Sequence, residues 1–194
     1  MRIVLIGGSG GTGAQLAQLA REAGHDVVVV SRKVQGSATD PDVASAVVDG
    51  ADAVVITVGA AKGVTNHRTA VTVSVIRAMQ DAGVRRLVVQ SSLGADGSAS
   101  QLPGFFGLLT KLLLAGPLKD HDQQEAAVRA SGLDWTIVRP TGLTDKPPTG
   151  SWRALTMGDD GKLGGTITRA DLAAWILQAL EDDTTIGRAV GISN

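Results

Sequence analysis

The sequence predicts an α/β fold: a single doubly wound parallel sheet of the Rossmann type, with residues 1–194 forming one domain. Three observations predict it. Apolar runs rich in Val and Ile recur along the chain, separated by segments of helical period. The runs are nearly continuous in hydrophobics, as strands covered by helices on both faces must be. The first run passes through a glycine-rich turn into a helical segment, "IVLIGGSGGTGAQLAQLAREAGHDVVVVSRK". The chain is also shorter than the roughly 250 residues at which single cores stop growing.

The first strand is expected at 2–6 and ends in that turn. Gly7, Gly10 and Gly13 form G-x-x-G-x-x-G, a variant spacing of the dinucleotide fingerprint. Gly7 permits the tight turn, Gly10 lets backbone approach a pyrophosphate, and Gly13 lets helix and sheet pack closely. The N–H groups of Gly11 and Thr12, opening a helix at 11–23, are expected to face phosphates. No G-K-[ST] follows, which excludes a P-loop.

The second strand, at 26–30, ends in Ser31, Arg32 and Lys33. An NAD site usually places Asp or Glu there, whereas this hydroxyl and these cations suit a 2′-phosphate, so NADP(H) is the expected cofactor. The other reading of Arg32 and Lys33 is a pair of solvated loop cations. The region that follows is shortened. A doubly wound fold normally fits a helix, a strand and a second helix before the next strand, and roughly a dozen residues are lacking for that. A helix at 41–49 is what the space allows, with Asp40 expected near the adenine. The third strand, 53–58, closes on Thr57, Val58, Gly59 and Ala60, small residues that leave room for ribose and diphosphate; Val58 and Gly59 are expected cofactor contacts.

A helix at 66–82 and a strand at 86–89 lead into "VVQSSLGADG", where Ser91 and Ser92 emerge at the carboxyl edge of the sheet. Ser91 is expected beside the cofactor, and Ser92 is the candidate polar contact to nicotinamide or substrate. A helix at 119–130, a strand at 135–138 followed by Pro140, which is an expected cofactor contact, and a helix at 169–180 complete the pattern. Gly24, Gly83 and Gly132 follow helix stops, as left-handed C-terminal caps do.

Composition narrows the function. A formal net charge of minus one gives no broad footprint for nucleic acid or anionic membrane. Cysteine is absent, which removes disulfides, thiolate catalysis and cysteine-ligated zinc, and His25, His67 and His121 show no metal-ligand spacing. No metal is expected. The most apolar window, "GFFGLLTKLLLAGPL" at 104–118, is shorter than the roughly 20 residues of a spanning helix and carries Lys111, so it reads as a buried helix or lid. The first residues lack a signal-peptide pattern, and a cytoplasmic location is expected. A small-molecule partner and a monomer or weak dimer fit this composition. The chain contains no tyrosine, so the Tyr-x-x-x-Lys acid–base pair of ordinary short-chain dehydrogenases is excluded.

"GGSGGTG", "VVQSS", "KDHDQQEAAVRASGLDWTIVRPTGLTD" and "TITRADLAAWILQALED" together resemble the atypical short-chain dehydrogenase/reductase group, over nearly the whole chain. Within it the pattern is most similar to the NADPH-dependent flavin reductases, also called biliverdin-IXβ reductases, through Ser92, the Asp120-His121 pair, the Ser131 to Leu133 turn and "LTDKPPTGSW". By the spacing common in the wider superfamily, counted back from Glu125, the Tyr and Lys positions fall near Pro117 and His121. His121 thus takes the place of the lysine, on the first turn of its helix, as a ribose or substrate contact or as a plain surface histidine. The resemblance implies hydride transfer to a flavin, a linear tetrapyrrole or a similar conjugated acceptor. Such an acceptor is already electron-poor, and solvent or a propionate can supply the proton, so catalysis rests on orientation. Where the flavin-reductase pattern has a histidine after the sixth strand this chain has Gly142, and Arg139 is expected to pair with an internal carboxylate. The acceptor pocket is expected between Ser92, Phe105 or Phe106, and Leu143, with Trp152 a further wall and Trp135 in the core. The alternatives are a non-catalytic NADP(H) sensor and a reductase or isomerase of another small metabolite.

Overall fold

The computed structural model describes residues 1–32, 35–61, 63–103 and 115–194. Lys33, Phe105, Phe106 and most of the apolar stretch at 104–118 lie outside them. The strands are β1 (Arg2–Ile6), β2 (Asp26–Val30), β3 (Ala53–Ile56), β4 (Arg86–Gln90), β5 (Leu93–Asp96), β6 (Asp134–Pro140), β7 (Gly142–Thr144), β8 (Arg153–Thr156), β9 (Thr166–Thr168) and β10 (Arg188–Ser193). Seven of these form the main sheet in the order β2-β1-β3-β4-β6-β10-β8, parallel throughout except for β8 at one edge. β7 and β9 pair beside it as a two-stranded parallel ribbon.

The helices are α1 (Gly11–Glu22), α2 (Pro41–Val48), α3 (His67–Ala82), α4 (Ala115–Arg129) and α5 (Arg169–Glu181). Strand residues point alternately to the two faces, and the core divides accordingly. Val4 and Ile6 of β1 pack with Val47 of α2, Val75 of α3 and Val128 of α4. Ile3 and Leu5 pack with Leu16 of α1 and Ile176 of α5. Burial on both faces is why these strands are continuous in Val, Ile and Leu. Among the described residues no helix is long and apolar enough to cross a membrane.

The shortened region after β2 holds one helix. Asp40 accepts a hydrogen bond from the Asp42 N–H at 3.0 Å and Pro41 sits in the first turn, so α2 starts where a cap and a proline dictate. α2 then carries the chain from β2 back across β1 to β3. The outer strand of the larger fold is absent, β2 becomes the edge, and its central valines stay half-buried. Strand order reverses at β1, which leaves the carboxyl ends of β1 and β3 side by side. Ligands of such sheets bind at that switch point.

Several boundaries differ from the sequence expectation. β3 ends at Ile56: the Thr57 N–H still reaches the Ile6 carbonyl at 2.9 Å, and the chain then turns over the phosphate loop. α4 is already helical at Ala115, ahead of the expected start at 119, so His121 does not lie in its first turn. β5, β7, β8, β9 and β10 lie outside the strands expected from the sequence. β10 carries Gly191 at its centre, because a Cβ there would stand 2.6 Å from Leu163 Cδ1 and 2.7 Å from Gln101 Oε1. The expected left-handed caps hold: Gly24, Gly83 and Gly132 have φ of +85°, +69° and +69°.

Gly13 is the tightest point of the phosphate loop. A Cβ on it would stand 2.5 Å from the Gly7 carbonyl oxygen, 2.6 Å from Thr57 Oγ1 and 2.8 Å from Gly8 Cα. Backbone on both sides cannot yield, so Gly13→Ala should destabilise the protein by about 1–3 kcal/mol, seen as a lower urea midpoint. Gly10→Ala, whose Cβ would meet nothing within 4 Å, should leave the midpoint nearly unchanged. Equal midpoints for the two variants would contradict this packing.

Candidate functional site

Two cavities open at the switch point and share a wall. The first, about 380 Å³, runs from the phosphate loop (Gly7, Gly10, Gly11, Thr12) to the end of β2 (Ser31, Arg32) and to His67 at the start of α3. The second, about 710 Å³, lies beyond the ends of β4 and β6. Thr57, Val58, Gly59, Gln90, Leu143 and Arg169 line both.

The phosphate loop is built as its glycines require. Gly7 has φ +91°, a left-handed conformation that glycine adopts freely, and its Cβ would meet Val58 N at 3.0 Å. α1 has Gly10 as its N-cap, without a side-chain cap and without an acidic residue in its first turn. Its terminal N–H groups and positive dipole end therefore face the first cavity, and none of the described residues lining that cavity is acidic. Thr12 is buried there with its hydroxyl unpartnered, as is the Gln90 side-chain oxygen on the shared wall. The helix N–H groups and the Thr12 hydroxyl can donate to a phosphorylated ligand, whereas the Gln90 oxygen is an acceptor and suits an N–H or O–H donor. Ser31 and Arg32 sit at the far end, where Arg32 is exposed. Burial and the charge of Arg32 lower the His67 pKa. Asp40 does not line the cavity; its carboxylate caps α2, and Gly36, Ser37 and Ala38 wall this end instead. Gly13 also stays out of the cavity and acts through packing.

The second cavity has Leu93, Leu102, Pro103, Pro140 and Leu143 as apolar walls, with Ser91, Ser92, Arg68 and His121 among its polar residues. The two serines part company. Ser91 is buried and donates to Glu125 Oε1 at 2.6 Å. Ser92 makes only a long contact, 3.4 Å, to the Leu93 carbonyl and keeps its hydroxyl available. Glu125 in turn accepts from Arg139 Nε at 2.9 Å, and the same guanidinium reaches Asp96 at 2.9 Å. Both Glu125 and Arg139 are fully buried, so the expected internal pairing of Arg139 is met. Burial lowers the Arg139 pKa, but Glu125 and Asp96 outweigh it and hold the guanidinium charged.

His121 is not a surface residue. It is 8% exposed, and its Nδ1 lies 3.4 Å from Ser91 Oγ, a long contact in which the ring nitrogen donates because the Ser91 proton goes to Glu125. Burial, reinforced by Arg68, pushes its pKa from 6.5 down to about 4, so the imidazole is neutral at physiological pH. Asp120, its neighbour, ties α4 to α3. Asn66 at the N-cap of α3 makes no side-chain cap, and the Asp120 carboxylate instead accepts from the Arg68 N–H at 3.1 Å and the Thr69 N–H at 3.0 Å. Burial would raise the Asp120 pKa, but these bonds outweigh it and keep the carboxyl below the usual range.

The loop after β7 is fixed from below. Asp171 accepts from the Thr149 N–H at 2.9 Å, the Gly150 N–H at 3.0 Å and the Thr168 hydroxyl at 2.8 Å. Burial works against these bonds, yet they hold its pKa down to about 2. Trp152 packs against the core face of α1 and α5 and not on the cavity, and Trp135 packs against the opposite core. Arg68, His67, Gln90 and Arg169 are cavity residues that sequence reasoning missed. Gln90 and Arg169 both lie in stretches whose pattern was recognised, "VVQSS" and "TITRADLAAWILQALED". Among the described residues no group of three His, Asp or Glu side chains could hold a metal ion.

A parallel sheet whose first strand runs through a glycine turn into an uncapped helix, at a switch point, defines a dinucleotide-binding protein of the doubly wound class. The family model of NAD(P)H-binding proteins matches residues 7–183, and the chain belongs to that family. It is 26% identical over 215 residues to an uncharacterized sugar epimerase of Bacillus subtilis, covering 100% of this chain and 94% of the relative. ChuY, an anaerobilin reductase from Escherichia coli, superposes with a TM-score of 0.79 at 23% identity, over 99% of this chain and 96% of that one. A short-chain dehydrogenase/reductase from Veillonella parvula, solved in complex with NADP, gives 0.80 at 18% identity, over 100% and 94%.

The neutral His121 makes stability depend on pH. Its folded pKa lies below the unfolded value, so the unfolded state binds the extra proton and stability falls as pH drops from 6.5 toward 4. The loss should reach about 3 kcal/mol at 1.36 kcal/mol per unit, with His67 adding in the same direction. His121→Asn should flatten the urea midpoint over this window. A variant that keeps the full slope would contradict the buried neutral imidazole.

Proposed function

We propose that the protein is an NADPH-dependent reductase that passes a hydride to a flat conjugated acceptor, a flavin or a linear tetrapyrrole. The observation that carries this reading is the meeting of the two cavities: one shaped for a dinucleotide, the other larger and walled by aliphatic side chains, with Val58, Gly59 and Leu143 between them. The anaerobilin reductase among the fold neighbours supports the same acceptor class.

Bound NADPH supplies the hydride from its nicotinamide ring. The chain's own residues do the rest. Arg32, with Ser31, suits the 2′-phosphate, and the N–H groups of Gly11 and Thr12 suit the diphosphate. Leu93, Leu102, Pro103 and Leu143 exclude water and hold the acceptor flat, an orientation effect. Ser92 can donate a hydrogen bond to acceptor or nicotinamide. His121 is neutral and Ser91 is bonded to Glu125, so neither is a charged acid poised over the cavity. The proton that accompanies the hydride comes from water or from the acceptor itself. A carbonyl substrate would need a stronger donor than this cavity holds.

The test follows NADPH absorbance with FMN, FAD, riboflavin or biliverdin added in turn. Turnover with at least one, NADPH binding tighter than NADH, and a narrowed gap in Arg32→Ala are expected, the charge-assisted contact being worth about 1.5–3 kcal/mol. Tight NADPH binding without turnover would replace the reductase with a redox sensor.

A further inference from the structure

Arg169 is the first residue of α5, set in place by the Thr168 hydroxyl, which accepts from the Asp171 N–H at 3.0 Å. It lines both cavities. Its Nε stands 3.4 Å, and its Cδ 3.7 Å, from where a Cβ on Gly11 would be. The guanidinium therefore lies across the N-terminus of α1, at the first helical residue.

This is an unfavourable place for a cation. The N-terminus of α1 already carries positive dipole charge, no acidic residue in its first turn and no side-chain cap. The Thr12 hydroxyl is buried beside it without a partner. Among the described residues the one carboxylate that meets Arg169 is Asp145, 2.8 Å from its terminal nitrogen, and Asp145 is 86% exposed. So exposed a pair is worth little and is readily exchanged. Nor is it needed to hold the loop that bears Asp145, because Asp171 already anchors Thr149 and Gly150.

We propose that Arg169 is a ligand of the cofactor's diphosphate. It leaves Asp145 and pairs with a diphosphate held from the opposite side by the N–H groups of Gly11 and Thr12 and by the Thr12 hydroxyl. A dianion in that position meets the helix end and the orphaned Thr12 hydroxyl and replaces the exposed Asp145 carboxylate as the partner of the guanidinium. A guanidinium fork suits phosphate oxygens better than a point charge does. The proposal rests on the nicotinamide-dinucleotide reading of the first cavity but not on the identity of the acceptor.

Calorimetric titration with NADP⁺, and with adenosine 2′-monophosphate, which has the 2′-phosphate but no diphosphate, separates the possibilities. Arg169→Ala should weaken NADP⁺ by about tenfold or more and leave the monophosphate within about twofold, with Arg169→Lys between. Asp145→Asn should bind NADP⁺ as tightly as the unmutated protein or tighter, since a competitor for Arg169 is gone. Unchanged NADP⁺ affinity in Arg169→Ala would overturn the proposal. So would an equal loss for the monophosphate, or an equal loss in Asp145→Asn, which would make the ion pair structural. A protein that binds NADP⁺ but reduces no acceptor ends the reductase reading alone, and these titrations still decide the role of Arg169.

Discussion

The approach of α1 to the turns after β1 and β3 is the constraint on which the rest of the structure depends. With no room for a Cβ on Gly13 against the Gly7 carbonyl and Thr57, the helix axis is fixed over the end of the first strand. β3 can reach this point because α2 alone returns the chain from β2, setting β3 directly beside β1. Two consequences follow from one contact. The N-terminus of α1 is aimed into the first cavity, and the segment Thr57 to Gly59 becomes the wall between that cavity and the second. A looser helix would lose both the anion site and the alignment of the two spaces.

Beyond the wall, a different kind of interaction keeps the second cavity in shape. Glu125 and Arg139 are buried and paired, and Ser91 and Asp96 add further hydrogen bonds to them, while Arg139 Nη1 is buried without a partner among the described residues. Losing one partner of such a pair leaves a charge stranded in the core, at a cost of about 3–5 kcal/mol. The pair ties α4 to β6, and Asp120 ties the same helix to the start of α3. His121 is held between these anchors, buried and neutral, with Arg68 nearby. Ser91, Glu125, Arg139 and Asp120 are thus committed to holding the cavity in shape, while Ser92 keeps its hydroxyl available.

How much of this was legible in the sequence depends on the range of each signal. β1, β2 and the helices α1, α3 and α5 declared themselves because burial on a fixed face imposes a local period, and Gly83 and its counterparts mark helix ends through their own backbone. The roles of Gly7 and Gly13 were equally local. The strand-end pattern places Asp40 near the adenine, yet Pro41 and Asp42 beside it spell a helix cap. β10 escaped because Gly191 interrupts its apolar run, and the reason for that glycine, the nearness of Leu163 and Gln101, is tertiary. The same holds for Arg169, whose position over Gly11 joins residues from opposite ends of the chain. The burial of His121 has a similar cause: it follows from how α4 packs, which a histidine in a polar stretch does not announce.

The proposed reaction requires a nicotinamide presented to the second cavity from one side, across the wall of Val58, Gly59 and Leu143. NADPH carrying deuterium on one or the other face of nicotinamide C4, mixed with the protein and 5-deazariboflavin, tests this directly, because the reduced deazaflavin retains the hydrogen it receives at carbon. Deuterium should appear in the product from one face only. Label arriving from both faces, or no label at all while NADPH is bound, would contradict it.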